Sequence, residues 1–292
     1  MAETKNNLYN EHSIESLSPL EFTRLKPGVY AGDTTYATQL LVEIISNAID
    51  EFRLGHGSQI DVSIDGAKIR VRDYGQGFIP NSFREDGKTI LEAAFSVLNT
   101  SGKYREDGTY EGTSLGSFGI GSKITTYLSH WLDVLTVRDG ESEWCHFVEG
   151  EFNKRNTKKT NVPSGTIVEW EPSEQFFTHP EVEINKIKTL FKTISCLCPG
   201  LTINLDNNGE KIVYSSVHGL NDLVDDAVKD KELINNRATC LNVFKLNLEY
   251  VMKAEKGFNF SDYYNSTPFS DNSVKITSNT LKYSMKAIAS MI

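Results

Sequence analysis

Three polar side chains recur at helical spacing in a segment whose other residues are mostly apolar. Glu43, Asn47 and Asp50 occupy positions i, i+4 and i+7, so on a helix they fall on one narrow stripe. The neighbouring face is apolar, with Leu41, Ile44, Ile45, Ala48 and Phe52. A carboxylate, an amide and a second carboxylate beside such a face suit a site that binds magnesium and activates water. The alternative is a solvated polar stripe, which three residues alone would favour.

A further carboxylate is predicted on the apolar side of a strand. The alternation of apolar and polar residues indicates a hairpin over 60–73, with its turn at Asp65-Gly66. Asp73 shares the parity of Val71, so we expect it to project from the apolar face. A carboxylate there is unfavourable unless a partner satisfies it, which makes Asp73 a candidate ligand-binding residue. The alternative is that the strand ends at Arg72 and Asp73 only opens a turn.

A long polar stretch rich in glycine precedes another helical pattern. Residues 100–121 end in Gly116-Ser117-Phe118-Gly119-Ile120-Gly121, and a helix is predicted over 124–128. A loop of this length in a compact domain is usually functional or disordered. Glycines just before a helix allow backbone N–H groups to approach a phosphate. The pattern is weak alone, and the lysine spacing excludes a Walker A motif.

Composition places the chain among globular proteins without a membrane span. Its 292 residues allow one large domain or two ordinary ones, and no apolar run reaches membrane-spanning length. The polar N-terminus lacks the apolar core of a signal peptide, so a cytoplasmic location is expected. The four cysteines lack zinc-site spacing and are expected as free thiols. A net charge of −9 argues against a broad DNA-binding surface within the chain, although a local basic patch stays open.

The periodicities predict strands followed by packed helices, which favours an α+β sandwich with helices on one face of a mixed sheet. Residues 1–20 are expected to form an extended or weakly ordered arm, followed by a turn-rich segment over 26–32. Helices are predicted up to about 54 and over 90–99, 124–128, 181–197 and 220–228, with another from about 279. Strands are predicted over 60–64, 68–73, 131–138, 143–148, 165–170, 201–205, 211–214 and 241–251.

Four motifs stand in an order that resembles the GHKL ATPase superfamily of gyrase, heat-shock chaperones, histidine kinases and MutL. They are Glu43…Asn47…Asp50-Glu51, Asp73-x-Gly75-x-Gly77, Gly116-x-x-Gly119-x-Gly121 and Gly165-Thr166. Within it the chain is similar to the B subunits of bacterial type IIA topoisomerases, meaning DNA gyrase and topoisomerase IV. The segments with particular likeness are 26–32, 47–51, 101–103 and 137–140. The resemblance is good over about 20–220 and fainter beyond.

The resemblance implies a role for each matching residue. Glu43 matches the general base that polarises the attacking water, and Asn47 the amide that ligates Mg²⁺. Asp73 matches the carboxylate that reads the exocyclic amine of adenine, and Thr166 the hydroxyl that helps to hold a bridging water. Arg138 matches an arginine at the pocket mouth.

Further nucleotide-binding positions follow from the same resemblance. Lys103 and Tyr110 match lid residues that reach the nucleotide. The remaining expected contacts are the phosphate-loop glycines and three positions near the helix stripe and base turn, namely Gly116, Gly119, Gly121, Asp50, Gly77 and Ile79.

The resemblance also implies an organisation and a mechanism. A GHKL (Bergerat) sandwich with its N-terminal arm is expected over 1–219, and part of a transducer-like α+β domain of ribosomal S5 type over 220–292. ATP and Mg²⁺ would order the lid, and the N-terminal arm would reach a second subunit. The closed dimer would capture DNA, while a tyrosine-bearing A-type subunit cleaves it. Because the Gln-Thr-Lys loop of the transducer is not found, we expect the chain to stop within that domain and, by itself, to bind ATP with slow or negligible turnover.

The sequence departs from the bacterial pattern at several positions. Gln76 stands where arginine is usual, which removes an expected ion-pair partner of Glu51. Ser117-Phe118 replaces a common Leu-His pair, and Ser122-Lys123 is closer to the eukaryotic branch. The alternatives are another GHKL ATPase, such as a MutL-like repair protein or a chaperone, and a non-catalytic ATP-binding module. Gyrase, topoisomerase IV and a divergent phage or mobile-element form are not separated.

Overall fold

One large mixed sheet with helices on one face forms the main part of the described chain. The computed structural model describes residues 17–98, 119–222 and 226, together with the backbone of 239–243 and 248–252. The helices are α1 (Pro19–Leu25), α2 (Gly28–Ala31), α3 (Thr38–Arg53), α4 (Ile90–Ser96), α5 (Gly121–Tyr127) and α6 (Ile184–Leu197). The strands are β1 (Gln59–Asp65), β2 (Lys68–Asp73), β3 (Ser129–Arg138), β4 (Glu141–Val148), β5 (Glu151–Lys159), β6 (Gly165–Pro172), β7 (Thr202–Asn207), β8 (Glu210–Tyr214), β9 (Thr239–Val243) and β10 (Leu248–Met252).

The large sheet has eight strands in the order β5-β4-β3-β6-β2-β1-β7-β8. Its neighbouring strands are antiparallel except β1 and β7, which run parallel. Since α6 lies between β6 and β7 in the chain, it provides part of the connection that brings β7 beside β1. The expected α+β architecture with a mixed sheet is therefore confirmed. Strands β9 and β10 form a separate antiparallel pair.

The core lies between the sheet and helices α3, α4 and α6. Alternate residues of β1, such as Ile60 and Val62, are buried, while the residues between them are only partly covered. This period-2 burial is what a sheet with one packed face produces. The opposing helices contribute Ile45 from α3, Leu91 from α4 and Phe191 from α6 to the same apolar cluster.

Helix α3 contributes residues to two separate apolar clusters. Ile44, Ile45 and Ile49 join the main core, whereas Leu40 joins a smaller cluster with residues of α2 and α5. The helix is therefore held on two sides, and its polar stripe is left between them. It ends before Gly55, whose φ of 85° is a conformation that glycine adopts without strain.

The sequence missed two elements, and one predicted strand was wrong. Residues 1–16 of the predicted arm over 1–20 lie outside the described residues, and from Pro19 the chain forms α1, whose Ser18 and Glu21 form a reciprocal capping box. Strand β5 was missed because its side chains are almost all exposed and polar, so it has no apolar alternation. The single strand predicted over 241–251 is two strands that pair with each other.

The remaining predicted helices and strands are present, with ends shifted by a few residues. Of the helix predicted over 220–228, residues 220–222 are helical, and the helix predicted from about 279 lies outside the described residues. Within the part of the chain that the structure describes, no helix combines the length and apolar character needed to cross a membrane.

The burial of Phe191 gives a test of the core. Phe191 has no exposed surface, so Phe191→Ala removes an aromatic ring from between α6 and the sheet. We expect a loss of about 3–5 kcal/mol in the free energy of unfolding, measured by urea denaturation. Val213→Ala is the control, because Val213 is 65% exposed and should change stability little. Similar effects of the two substitutions would contradict this description of the core.

Candidate functional site

The polar stripe of α3 is present, but its three members differ in exposure. Glu43 is partly buried and Asn47 is exposed, whereas Asp50 retains only 3% of its surface. Asn47 therefore projects from the uncovered part of the stripe. Asp50 is buried among surrounding groups, so it is not open to solvent as Asn47 is.

The Glu43 carboxylate lies against the first residue of α5. Gln39, one turn earlier on α3, donates from Nε2 to Glu43 Oε1 at 2.7 Å. A Cβ at position 121 would collide with Glu43 Oε2, so only glycine leaves room for the carboxylate there. Burial raises the pKa of Glu43, while the bond from Gln39 acts in the opposite direction. The result is a partly desolvated carboxylate beside the Gly119–Gly121 turn.

Asp73 is the last residue of β2 and lies at the junction of three strands. Its Oδ1 accepts the N–H groups of Gly75 at 2.9 Å and of Thr166 at 3.1 Å. Within the described residues, its other carboxylate oxygen accepts no hydrogen bond. Burial raises the pKa of Asp73 to about 6, the charge of Glu51 adds to this, and the two N–H bonds oppose it. Asp73 thus has one oxygen fixed by the backbone and the other available to a ligand.

Two glycines allow neighbouring backbone segments to approach each other closely around Asp73. A Cβ on Gly165 would collide with the carbonyl oxygen of Asp73, and Gly165 has a φ of 137°. A Cβ on Gly77 would lie 2.5 Å from the carbonyl oxygen of Val137, and Gly77 has a φ of 71°. Both positions combine a left-handed backbone with close contact, which explains glycine there. Replacing either would displace the turn that follows β2.

Three side chains from two elements, β3 and α3, hold the turn after β2. Thr136 on β3 accepts from the N–H of Phe78 at 2.7 Å, and Arg138 donates to the carbonyl of Gly77 at 3.3 Å. Glu51 on α3 accepts from the N–H of Gln76 at 3.2 Å. The turn therefore keeps a link to Glu51 through its backbone although Gln76 supplies no cation.

A histidine lies close to Glu51, whose expected arginine partner is replaced by Gln76 in the sequence. His56 Nδ1 is 3.5 Å from Glu51 Oε2 and forms no hydrogen bond with any of the described residues. The backbone N–H of His56 also bonds to the carbonyl of Glu51 at 2.9 Å. Glu51 is thus held at the end of α3, beside the turn.

Helix α3 connects the two ends of the candidate site. Glu43 faces the Gly119–Gly121 turn, and Glu51 faces the turn that follows Asp73. Glu51 follows Glu43 by eight positions, a span of about 12 Å along the helix at 1.5 Å per residue. Asn47 lies midway and is exposed. A molecule that reaches both ends must be elongated, and each end would meet a different set of groups.

The other predicted site residues have different positions. Thr166, on β6, keeps 9% of its surface and bonds Asp73 through its backbone, while Ile79 is 53% exposed. Gly119 has a φ of 61°, as a left-handed turn before α5 requires. Lys103, Tyr110 and Gly116 lie outside the described residues.

The sequence interpretation missed Thr136 and Gln39. Thr136 has the parity of Leu132 and Val134 on β3 and no exposed surface, so it is a polar residue on an apolar strand face. The parity argument that selected Asp73 would also have selected it. Gln39 lies four residues before Glu43, a spacing at which helical side chains meet.

Comparison with known proteins assigns the chain to a family. No protein-family profile matches it. The B subunit of DNA topoisomerase 4 from Streptococcus pneumoniae is 32% identical over 238 residues, which is 78% of this chain and 36% of that protein. Its counterpart from Enterococcus faecalis is 34% identical, covering 72% of this chain and 31% of that protein. The Mycoplasma capricolum counterpart is 33% identical, covering 84% and 38%.

The chain belongs to the type IIA topoisomerase B-subunit family. It spans about a third of the length of these relatives. The 43K ATPase domain of Thermus thermophilus gyrase B, solved in complex with an aminocoumarin, has a similar fold, with a TM-score of 0.66 and 22% identity over 79% of this chain and 60% of that one. The GHKL fold that the sequence predicted for this chain is therefore confirmed.

The raised pKa of Asp73 predicts a pH-dependent stability. Because the folded-state value is about 6 and the ordinary value is 3.8, Asp73 stabilises the fold most when protonated, below pH 4. That contribution is lost as the pH rises through 6. We expect the stability of the wild type relative to Asp73→Asn to fall by about 2 kcal/mol between pH 4 and pH 7. Urea denaturation of both proteins measures it, and a pH-independent difference would contradict the assignment.

Proposed function

We propose that the chain is the ATP-binding and ATP-hydrolysing region of a type IIA DNA topoisomerase. The proposal rests on the arrangement of two carboxylates near opposite ends of α3. Asp73 lies beside the turn that follows β2, which Glu51 of α3 contacts, and Glu43 lies beside the Gly119–Gly121 turn. The relatives named as B subunits of DNA topoisomerase 4 support it. The nucleotide would lie along α3, with its base near Asp73 and its terminal phosphate near Glu43.

Asp73 would select adenine. Its second carboxylate oxygen, which accepts no bond from the described residues, would accept one from the exocyclic amine of the base. At neutral pH a group with a pKa of about 6 is mostly ionised and therefore accepts well. Guanine presents a carbonyl oxygen at the corresponding position, and two acceptors facing each other would leave a buried carboxylate unpaired.

Glu43 would act as the general base at the other end. It would accept a proton from a water molecule as that water attacks the γ-phosphorus, and the products would be ADP and inorganic phosphate. A carboxylate whose pKa is raised by burial is better suited to accept this proton than an exposed one. Gln39 would fix the orientation of the carboxylate, since it bonds one oxygen and leaves the other facing Gly121.

Asn47 would be the protein ligand of magnesium. Within the described residues, no three His, Cys, Asp or Glu side chains come together to hold a metal by themselves. Magnesium at nucleotide sites commonly takes one or two protein ligands and completes its shell with phosphates and water. Asn47 is exposed midway along the stripe, where its amide oxygen can reach such an ion. When bound, Mg²⁺ would neutralise part of the phosphate charge.

The other expected nucleotide contacts remain part of the proposal. Arg138 is bonded to the carbonyl of Gly77 and would lie at the rim of the base end. The lid residues Lys103 and Tyr110 would cover the nucleotide together with the glycine loop that includes Gly116. Asp50 would contribute only from beneath the stripe, because it is buried.

The activity of the whole protein is proposed from its relatives. ATP binding would drive closure of a homodimer through the N-terminal region, and the closed dimer would gate the passage of DNA. A tyrosine-bearing A-type subunit would cleave the DNA strands. The boundary near 219 between the ATPase region and a partial transducer domain belongs to the same proposal, as does a cytoplasmic location.

Glu43→Gln distinguishes an ATPase from a non-catalytic nucleotide-binding module. The amide cannot accept the proton, so single-turnover hydrolysis with protein in excess should fall by roughly 100-fold or more. ATP affinity should change by less than about threefold, because the side chain keeps its size and position. Glu210→Gln is the control, since Glu210 pairs with Lys188 at the surface and should behave as wild type.

The same experiment can contradict the proposal in two ways. A folded Glu43→Gln variant that binds ATP and hydrolyses it at the wild-type rate would favour the binding module. A wild-type protein that binds no ATP in the presence of Mg²⁺ would refute the nucleotide site itself.

A further inference from the structure

A buried carboxylate outside the proposed ATP site contacts the loop that follows its base end. Glu143 on β4 has no exposed surface, although a glutamate in a sheet is usually solvated. Its Oε2 accepts the backbone N–H of Asn81 at 2.6 Å. Asn81 closes residues 77–81, here called the 77–81 loop, which begins at Gly77 beside the carboxyl end of β2. Glu143 thus contacts the far end of a loop whose near end adjoins Asp73.

Asn81 is held through its side chain as well as its backbone. Arg155 on β5 donates from Nη1 to Asn81 Oδ1 at 3.2 Å, and its guanidinium lies 4.8 Å from the ring centre of Phe83. Asn81 has a φ of 56°, a left-handed conformation that costs energy in most residues and is tolerated best by asparagine and aspartate. Two bonds to the same residue explain how this conformation is maintained.

The near end of the loop is held from the neighbouring strand. Thr136 on β3 accepts from the N–H of Phe78 at 2.7 Å and donates to its carbonyl at 3.3 Å. Thr136 and Glu143 face each other in the β3–β4 register, so they project from the same side of the sheet. One cross-strand pair therefore fixes the 77–81 loop at two points.

A purely structural ion pair does not account for Glu143. Arg155 Nη1 is 3.9 Å from Glu143 Oε1, much farther than the bond from Asn81 to Oε2. The strongest contact of the buried charge is therefore with the loop backbone, and a bond to a charged group is stronger than one between neutral groups. Hydrophobic residues would fill the space between β4 and the loop, but they would leave the Asn81 N–H without a partner.

We propose that Glu143 is a positioning residue for the base end of the nucleotide site. By holding Asn81, it keeps the 77–81 loop against β3 and β4, and Gly77 stays close to Gly165, whose backbone contacts that of Asp73. The inference rests on the proposed ATP site. Glu143 touches neither the nucleotide nor the reacting atoms. Its loss should weaken binding of any adenine nucleotide without slowing the chemical step at the distant phosphate end.

Substitutions at Glu143 separate positioning from catalysis. Glu143→Leu removes the acceptor and should raise the Kd for both ATP and ADP about tenfold, as expected for losing one charge-assisted bond. The single-turnover rate at saturating ATP should stay within about twofold. Glu143→Gln keeps an oxygen that can accept the Asn81 N–H, so it should restore the Kd to within about threefold of wild type.

Glu171→Gln is the matched control for these variants. Glu171 also lies in the sheet and accepts one side-chain N–H, from Trp131 at 2.8 Å, but it does not contact the 77–81 loop. Its substitution should leave the Kd for both nucleotides unchanged. Calorimetric titration of each variant with ADP and a non-hydrolysable ATP analogue gives the affinities, and thermal unfolding shows that the variants are folded.

The results distinguish failure of this inference from failure of the proposed function. A wild type that binds neither nucleotide overturns both. A folded Glu143→Leu variant that binds both nucleotides as the wild type does overturns only the positioning role, as does a loss of rate without a loss of affinity. If Glu143→Leu does not fold, Arg155→Met decides, because Arg155 is partly exposed and holds the same asparagine. An unchanged Kd in that variant overturns the role, and a rise of about threefold supports it.

Discussion

The site depends on keeping a carboxylate at the partly buried end of a strand. Asp73 projects from the packed side of β2, where desolvation raises its pKa to about 6. Two backbone N–H groups bond one of its oxygens and offset part of the cost of burying the charge. These donors can approach because Gly165 has no side chain and the chain turns sharply at Gly75 to Gly77. The glycines, Thr136 and Glu51 all hold the same turn, which keeps the Asp73 carboxylate in a fixed position.

Helix α3 joins this charge to the opposite end of the site. It is fixed by apolar contacts on two sides, through Ile45 in the main core and Leu40 in the smaller cluster. Its polar stripe therefore has a defined position relative to both glycine turns. A rigid helix is well suited to set the distance between a group that recognises a base and a group that acts on a phosphate. Glu43 and Glu51 lie on the same element, so their separation does not depend on loop conformation.

Local periodicity predicted the parts of the structure that periodicity controls. The parity of β2 placed Asp73 on the packed face, and the 3.6-residue pattern placed Glu43 and Asn47 on one stripe. The ordered motifs then identified the family and the fold. Strand β5 gave no such pattern, because an edge strand with exposed polar side chains is formed by pairing with β4 and not by burial. Helix α1 is specified by its Ser18 cap, a short signal that was overlooked.

Contacts between distant segments could not be predicted from the sequence. The approach of Gly121 to Glu43 and the bond from Asn81 to Glu143 join residues that are far apart in the chain. In both pairs, the sequence around one residue gives no indication of its contact with the other. The sequence indicated that Asp50 was equivalent to its neighbours on the stripe, but tertiary packing buries it and leaves Asn47 exposed.

Calorimetric titration with non-hydrolysable analogues of ATP and GTP, on the wild type and on Asp73→Asn, tests the central claim most directly. If Asp73 recognises the base through its second oxygen, the wild type should prefer the adenine nucleotide by at least about 100-fold. Asp73→Asn should lose most of that preference, because its amide can present either a donor or an acceptor to the base. Equal affinity of the wild type for the two analogues, or an unchanged preference in Asp73→Asn, would contradict the account.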